Sequence, residues 1–219
     1  VSALVMDPNS GEILAMANSN SFDLNEPYED SAIAYQFNSE DGDVSSQIKA
    51  LSEDERLDCL NKAWRNFIIS DGFEPGSTYK TFTISGAIED GALKGDETFF
   101  CGGNLKVADT TINCHNHSGH GQVNIEQSLM QSCNVALMQI AETEGRKTFA
   151  KYQEVFGFGK TTHVDLAGEA AGLVYPEEKL NPVELATSSF GQGLTVTMMQ
   201  IGTAFCSVIN GGNYYEPHM

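Results

Sequence analysis

The chain has 219 residues, 41% of them apolar, enough to bury a core. Its formal charge is −18, the sign opposite to that of a nucleic-acid binder, so that class is excluded. No run of about 18 apolar residues occurs that would span a bilayer, no signal-peptide pattern is visible, and the five cysteines are an odd number with no obvious disulfide framework.

In chain order, Val1 to Met6 and Glu12 to Ala17 are short apolar runs separated by the turn residues Asp7-Pro-Asn-Ser-Gly11, which predicts a β-hairpin. Between Ser21 and Leu60 there are eleven Asp and Glu against two bases, so half the net charge sits in under a fifth of the chain. Such a stretch repels itself, and residues 21–66 read as a solvated acidic surface insertion holding a helix from Glu53 to Trp64. Phe73-Glu-Pro-Gly-Ser77 is a sharp turn, and the spacing of Phe82, Ile84, Ala87 and Ile88 predicts a helix that stops at Gly91. Residues 99–120 read as small strands and loops. Asn124 with Gln127 forms a capping-box pattern for a helix to Met130. Further helices are expected from near Asn134 to about Glu144, from Thr148 to Phe156, and from a Thr197 cap to just before Gly211-Gly212. The order of hairpin and helices suggests an α+β fold with a sheet covered by helices.

Two short patterns carry the chemistry. Ser77-Thr-Tyr-Lys80 opens the Phe82 helix, and residues three apart share a face, so Lys80 can reach the Ser77 hydroxyl. An alcohol needs a base to become nucleophilic, and a lysine serves once burial or a nearby positive potential lowers its pKa. The helix N-terminus supplies that potential and N–H groups for an oxyanion. A second Ser-x-x-Lys, Ser46 to Lys49, lies in the acidic insertion with no Pro-Gly turn before it, and reads as a surface coincidence. Ser132-Cys-Asn134 is the only Ser-x-Asn, 52 residues after Lys80. Its hydroxyl and amide suit proton relay and peptide binding, although in isolation both residues read as caps of the next helix.

Together with Gly119-His-Gly121, Ser189 to Thr197, Asp7 to Met16, and Asn210-Gly-Gly212 with Pro217, these motifs resemble the transpeptidase domain of class B penicillin-binding proteins over nearly the whole chain outside the insertion. The resemblance implies a penicillin-binding, serine β-lactamase-like transpeptidase fold. It implies Ser77 as nucleophile, Lys80 as base, and Ser132 and Asn134 lining the cleft. It also implies an enzyme that cross-links peptidoglycan stem peptides through an acyl-enzyme and is acylated by β-lactam antibiotics, with no cofactor in catalysis. Its expected place is the extracytoplasmic face of a bacterial membrane, anchored from outside this segment and working with other cell-wall synthesis proteins. A catalytically silent sensor and a serine β-lactamase are the alternatives. The family's Lys-Thr-Gly motif is absent; Lys160-Thr-Thr162 is followed by His163. The chain therefore reads as a partial domain, incomplete at the C-terminus, with poor acylation by itself.

The stretch from Cys101 to His120 also concentrates metal donors. A structural zinc held by Cys101, Asp109, Cys114 and His117 is expected. His120 is set aside because it belongs to the Gly-His-Gly motif. A disulfide and buried free thiols are the competing outcomes.

Overall fold

A computed structural model describes residues 1–219. Strands β1 (Ser2–Met6) and β2 (Ile13–Asn18) form the expected antiparallel hairpin, with a register shift between Val5 and Met6. The insertion follows as short 3-10 turns, then α1 (Val44–Lys49) and α2 (Glu53–Trp64). Ser52 and Glu55 close a reciprocal capping box on α2. The insertion is not merely solvated. Ala32, Ile33, Ile48, Leu60 and Ala63 build a small core of their own, and the Trp64 indole donates to the Pro27 carbonyl at 2.9 Å. Its two stems meet where Asn18 donates to the Asn66 side chain at 3.0 Å.

Helix α3 (Phe67–Ser70) leads to a 3-10 turn over Gly76–Tyr79, which runs directly into α4 (Lys80–Glu89). Two further ladders follow: β3 (Thr98–Cys101) pairs with β6 (Gly121–Asn124), and β4 (Asn104–Val107) pairs with β5 (Thr110–Asn113). Asn124 caps α5 (Ile125–Met130) through the anticipated box with Gln127. Helices α6 (Asn134–Glu144) and α7 (Arg146–Val155) are separated only by Gly145. Helix α8 (Pro182–Ser188), absent from the sequence expectations, is capped by Asn181 with Pro182 at its first position. Helix α9 (Met198–Ile209) starts at a buried Thr197 cap.

Helix α6 is the axis of the molecule. Val135, Ala136, Leu137, Met138, Ile140 and Ala141 are all buried, and only the stripe of Gln139, Glu142 and Thr143 reaches toward solvent. Part of it joins a core with Phe99, Val123 and Phe190. Ala141 joins a second, aromatic core of Tyr79, Phe82, Phe149 and Phe158. The hairpin packs with α3 and α9 through Ile13, Ile68, Ile69 and Met199.

Candidate active site and thiol cluster

Ser77 sits in the 3-10 turn rather than in the first turn of an α-helix. In a 3-10 helix residues i and i+3 eclipse, which puts Ser77 and Lys80 on one side. The turn is clamped from behind. Gly76 N donates to Gly191 O at 3.0 Å, Phe73 and Val196 exchange two backbone hydrogen bonds at 3.0 Å, and Gly193 N donates to Glu74 Oε1 at 2.8 Å. The segment from Ser189 to Thr197 thus braces the turn that carries Ser77. Glu74 and Gly191 gave no chemical signal of their own in the sequence, because their partners lie more than a hundred residues away.

Ser132 comes from the α5–α6 junction. Its φ of +50° ends α5 in a left-handed turn, a conformation rare for residues other than glycine. Ser132 N donates to Leu129 O at 3.0 Å and Cys133 N to Ser128 O at 2.8 Å. Cys133 then caps α6, accepting from Ala136 N through sulfur. This turn presents the Ser132 carbonyl, the Ser132 hydroxyl and the Asn134 side chain to Lys80.

Lys80 is 1% exposed. Its Nζ donates to Ser132 O, Ser132 Oγ and Asn134 Oδ1, each at 2.7 Å. Ser132 Oγ in turn donates to Ser77 Oγ at 2.7 Å. The four residues named from the sequence therefore come together, but the link from Lys80 to the exposed Ser77 runs through Ser132. Burial lowers the Lys80 pKa to about 8, partly offset by the nearby Cys114 and Cys133 thiols. The other Ser-x-x-Lys, Ser46 to Lys49, is on the exposed face of α1, where Ser46 bonds only the capping Asp43.

Of the four proposed metal donors, the structure brings two together. Cys101 ends β3, and Cys114 follows β5, with Cys114 N donating to Gly103 O at 2.9 Å. Gly119, at φ +81°, lets the following turn close on this edge; a Cβ there would lie 2.3 Å from Cys101 O. The donor atoms of Cys101, Cys114, His120 and Cys133 all lie within 4.8 Å of one another. Asp109 and His117 are not in this group. Asp109 is at the exposed tip of the β4–β5 hairpin, beyond the Val107↔Thr110 pair, while Cys101 and Cys114 flank its base at Asn104↔Asn113. Four residues of strand are about 13 Å. His117 faces solvent in the Asn116–Gly119 turn. His120 and Cys133 take their places. His120 was set aside with its motif, and Cys133 was the unassigned middle residue of Ser-x-Asn; neither carries a local metal-binding signature.

All five cysteines are free thiols. Burial opposes ionisation of Cys114, but hydrogen bonds from the Asn116, Val135 and Asn134 backbones outweigh it and hold its pKa below the usual thiol value. Burial pushes Cys133 up to about 12. His120 is lowered by burial and by the neighbouring His115. Three buried sulfurs and one half-buried imidazole match the tetrahedral donor type that zinc takes in closed sites. The cluster also touches the candidate active site through covalent bonds, since Cys133 lies between Ser132 and Asn134.

The "Penicillin binding protein transpeptidase domain" family matches residues 1–219. The chain is 32% identical over 219 residues to "Stage V sporulation protein D" of Bacillus subtilis, covering 99% of this chain and 29% of that protein. It is 29% identical over 216 residues to "Peptidoglycan D,D-transpeptidase FtsI" of Escherichia coli, covering 97% of this chain and 31% of that protein. It thus spans about a third or less of these relatives. A "putative peptidoglycan glycosyltransferase" structure from Atopobium parvulum superposes with a TM-score of 0.77 at 25% identity, covering 99% of this chain and 44% of that one. Motifs, site geometry and full-length match agree: this chain belongs to the class B penicillin-binding protein transpeptidase family.

Proposed function

We propose that this chain carries the nucleophile and proton relay of a serine D,D-transpeptidase acting on peptidoglycan stem peptides. The observation that supports it is the continuous hydrogen-bonded path from Ser77 Oγ through Ser132 Oγ to Lys80 Nζ, with Asn134 on the same ammonium. Ser77 Oγ attacks the carbonyl of the penultimate D-Ala. Its proton passes by way of Ser132 toward Lys80, which accepts it after giving up one of the protons it now donates. The bond to the last D-Ala breaks, that residue leaves with its amine protonated, and an ester to Ser77 remains. The amine of a second stem peptide then attacks the ester and releases Ser77. Lys80, with its pKa lowered by burial, is partly neutral near neutral pH. Asn134 places its amide beside the reacting groups, where it can hold a substrate backbone. β-Lactam antibiotics enter the same first step and stay as the acyl form. The substrate places the enzyme on the extracytoplasmic face of a bacterial membrane, anchored there and acting with other cell-wall synthesis proteins.

The test is labelling of the complete protein with a fluorescent penicillin, followed by peptide mapping. A stable adduct on Ser77, lost in Ser77→Ala, is expected. Label on another residue refutes the assignment. Rapid release of hydrolysed penicillin supports a β-lactamase instead, and absence of any adduct supports a silent domain. Lys80→Ala is expected to slow acylation by ~10²–10⁴, the range for a lost general base.

The thiol cluster supports a second, structural role for a metal. Zinc is the ion that three sulfurs and one imidazole favour, with Cys101, Cys114, His120 and Cys133 as ligands. Such an ion ties the β3, β5 and β6 edges to the first turn of α6. Elemental analysis of protein purified without added metal tests it. A ratio near one zinc per chain, lowered by Cys133→Ser and unaffected by Asp109→Asn or His117→Gln, is expected. A ratio near zero with all thiols titratable refutes it.

A further inference from the structure

Behind the candidate active site, α4, α6 and α7 line a small, partly open cavity of about 10 Å³, with Tyr79, Thr83, Glu144, Tyr152 and Gln153 among its walls. It has room for about one water molecule. Glu144 and Gln153 are 8% and 4% exposed. Neither oxygen of Glu144 has a hydrogen-bond partner in the protein, and the Gln153 carboxamide meets only the facing Tyr79 hydroxyl. A carboxyl with both oxygens unpaired beside a small void is unusual, because buried polar groups in folded proteins are paired with protein or with ordered water. The site is built to admit the carboxyl group. Gly86 of α4 lies opposite, and a Cβ there would come within 3.2 Å of Glu144 Oε1 and 2.9 Å of the Tyr152 side chain.

We propose that this cavity binds one ordered water between the Glu144 carboxyl and the Gln153 carboxamide, and that the resulting plug is a positioning element for Tyr79 and hence for Ser77 and Lys80. Tyr79 is the link. It is 1% exposed, its hydroxyl faces Gln153, and it is the last residue of the Ser77 turn, directly before Lys80. Its ring is held by Phe82, Phe149 and Phe158 at centroid distances of 5.7, 6.5 and 5.0 Å. Those apolar contacts fix the ring plane, and the polar end of the cavity fixes how deep the ring sits. A shift of Tyr79 moves both neighbours that form the relay. Glu144 acts there as a neutral acid. It is the last residue of α6, where the helix dipole disfavours a negative charge, and burial with Asp90 nearby raises its pKa to about 8. A neutral carboxyl has one donor and spare acceptor capacity, and a carboxamide has both kinds of group, so together they satisfy a water.

This role rests on the transpeptidase reading, and two measurements separate them. A crystal structure of the complete protein is expected to show one water within hydrogen-bond distance of both Glu144 and Gln153; a direct Glu144–Gln153 bond with no water overturns the site, whatever the protein's activity. Acylation by fluorescent penicillin in the complete protein tests the positioning. Glu144→Gln, which keeps shape and polarity, is expected to stay within about twofold of the parent. Glu144→Leu is expected to lower the limiting acylation rate about tenfold with an unchanged apparent dissociation constant and no fall in thermal midpoint. Gln153→Leu is read the same way if Glu144→Leu does not fold. Parent-like rates in the leucine variants, or equal losses in Glu144→Gln and Glu144→Leu, overturn the positioning role. A parent that does not acylate counts against the transpeptidase reading and leaves the crystallographic test standing.

Discussion

At the scale of single residues, Lys80 and Glu144 are both buried, and both have pKa values moved toward neutrality. Lys80 is pushed down and Glu144 up, each by burial that disfavours its charge. Only Lys80 has hydrogen-bond partners for its charged form. Glu144 has none, and its folded pKa of about 8 stands above the ordinary 4.5. Between those two values the native state holds a proton that the unfolded chain has lost, so the stability contribution falls as pH rises from about 4.5 to about 8 and is flat outside that window. Glu144→Gln removes this penalty. The substitution is expected to leave the thermal midpoint unchanged near pH 4.5 and to raise it progressively up to pH 8, by a stabilisation on the order of a few kcal/mol at most. Thermal melts of both proteins at those two pH values decide it. A midpoint difference that is the same at both would show that Glu144 does not titrate in this window.

At the scale of elements, local sequence places most of the secondary structure and contact across the chain places the reactive groups. The boxes Ser52–Glu55, Asn124–Gln127 and Thr197–Gln200 each begin a helix, because a cap and its partner lie within four residues and need no tertiary help. The short helices α1 and α3 were not anticipated. They hold six and four residues, too short to show a period, and packing rather than propensity keeps them helical. The Ser77 turn depends on a distant loop. Gly191 has φ +81°, and a Cβ there would lie 2.2 Å from Gly76 O and 2.7 Å from Gly76 N, both rigid backbone. Gly191→Ala is expected to cost more than the ~1–2 kcal/mol of a left-handed alanine alone, and to abolish penicillin acylation by displacing Ser77. Gly212→Ala is the control, with φ +96° and open space around it. It carries the conformational strain without the clash, so acylation equal in the two variants would contradict the clamp.

At the scale of the whole molecule, charge is distributed apart from the core. Residues 21–60 of the insertion hold half of the net −18, and its small core shares no residue with the other three. Its surface carboxylates repel one another over distances that salt screens, the screening length falling from about 30 Å at ~0.01 M to about 8 Å at ~0.15 M. Raising the ionic strength across that range is expected to raise the thermal midpoint. Changing Glu26, Glu29, Glu40 and Asp58, all exposed and without side-chain hydrogen bonds or ion pairs, to their amides is expected to reduce the response. An identical salt dependence in parent and variant would place the repulsion elsewhere. Legible in the sequence alone were the hairpin, the helices opened by capping boxes, the charge asymmetry and the pairing of Ser77-x-x-Lys80 with Ser132-x-Asn134, because each is written in short spacings or in composition. Only the tertiary structure decided that Ser132 stands between Lys80 and Ser77, that Cys133 and His120 rather than Asp109 and His117 join Cys101 and Cys114, and that Glu144 meets Gln153 behind Tyr79. The reason is physical: a strand hairpin carries its tip about 13 Å from its base, a left-handed residue turns a carbonyl and a side chain toward a helix more than fifty positions away, and no local pattern records which faces will meet around a helix as deeply buried as α6.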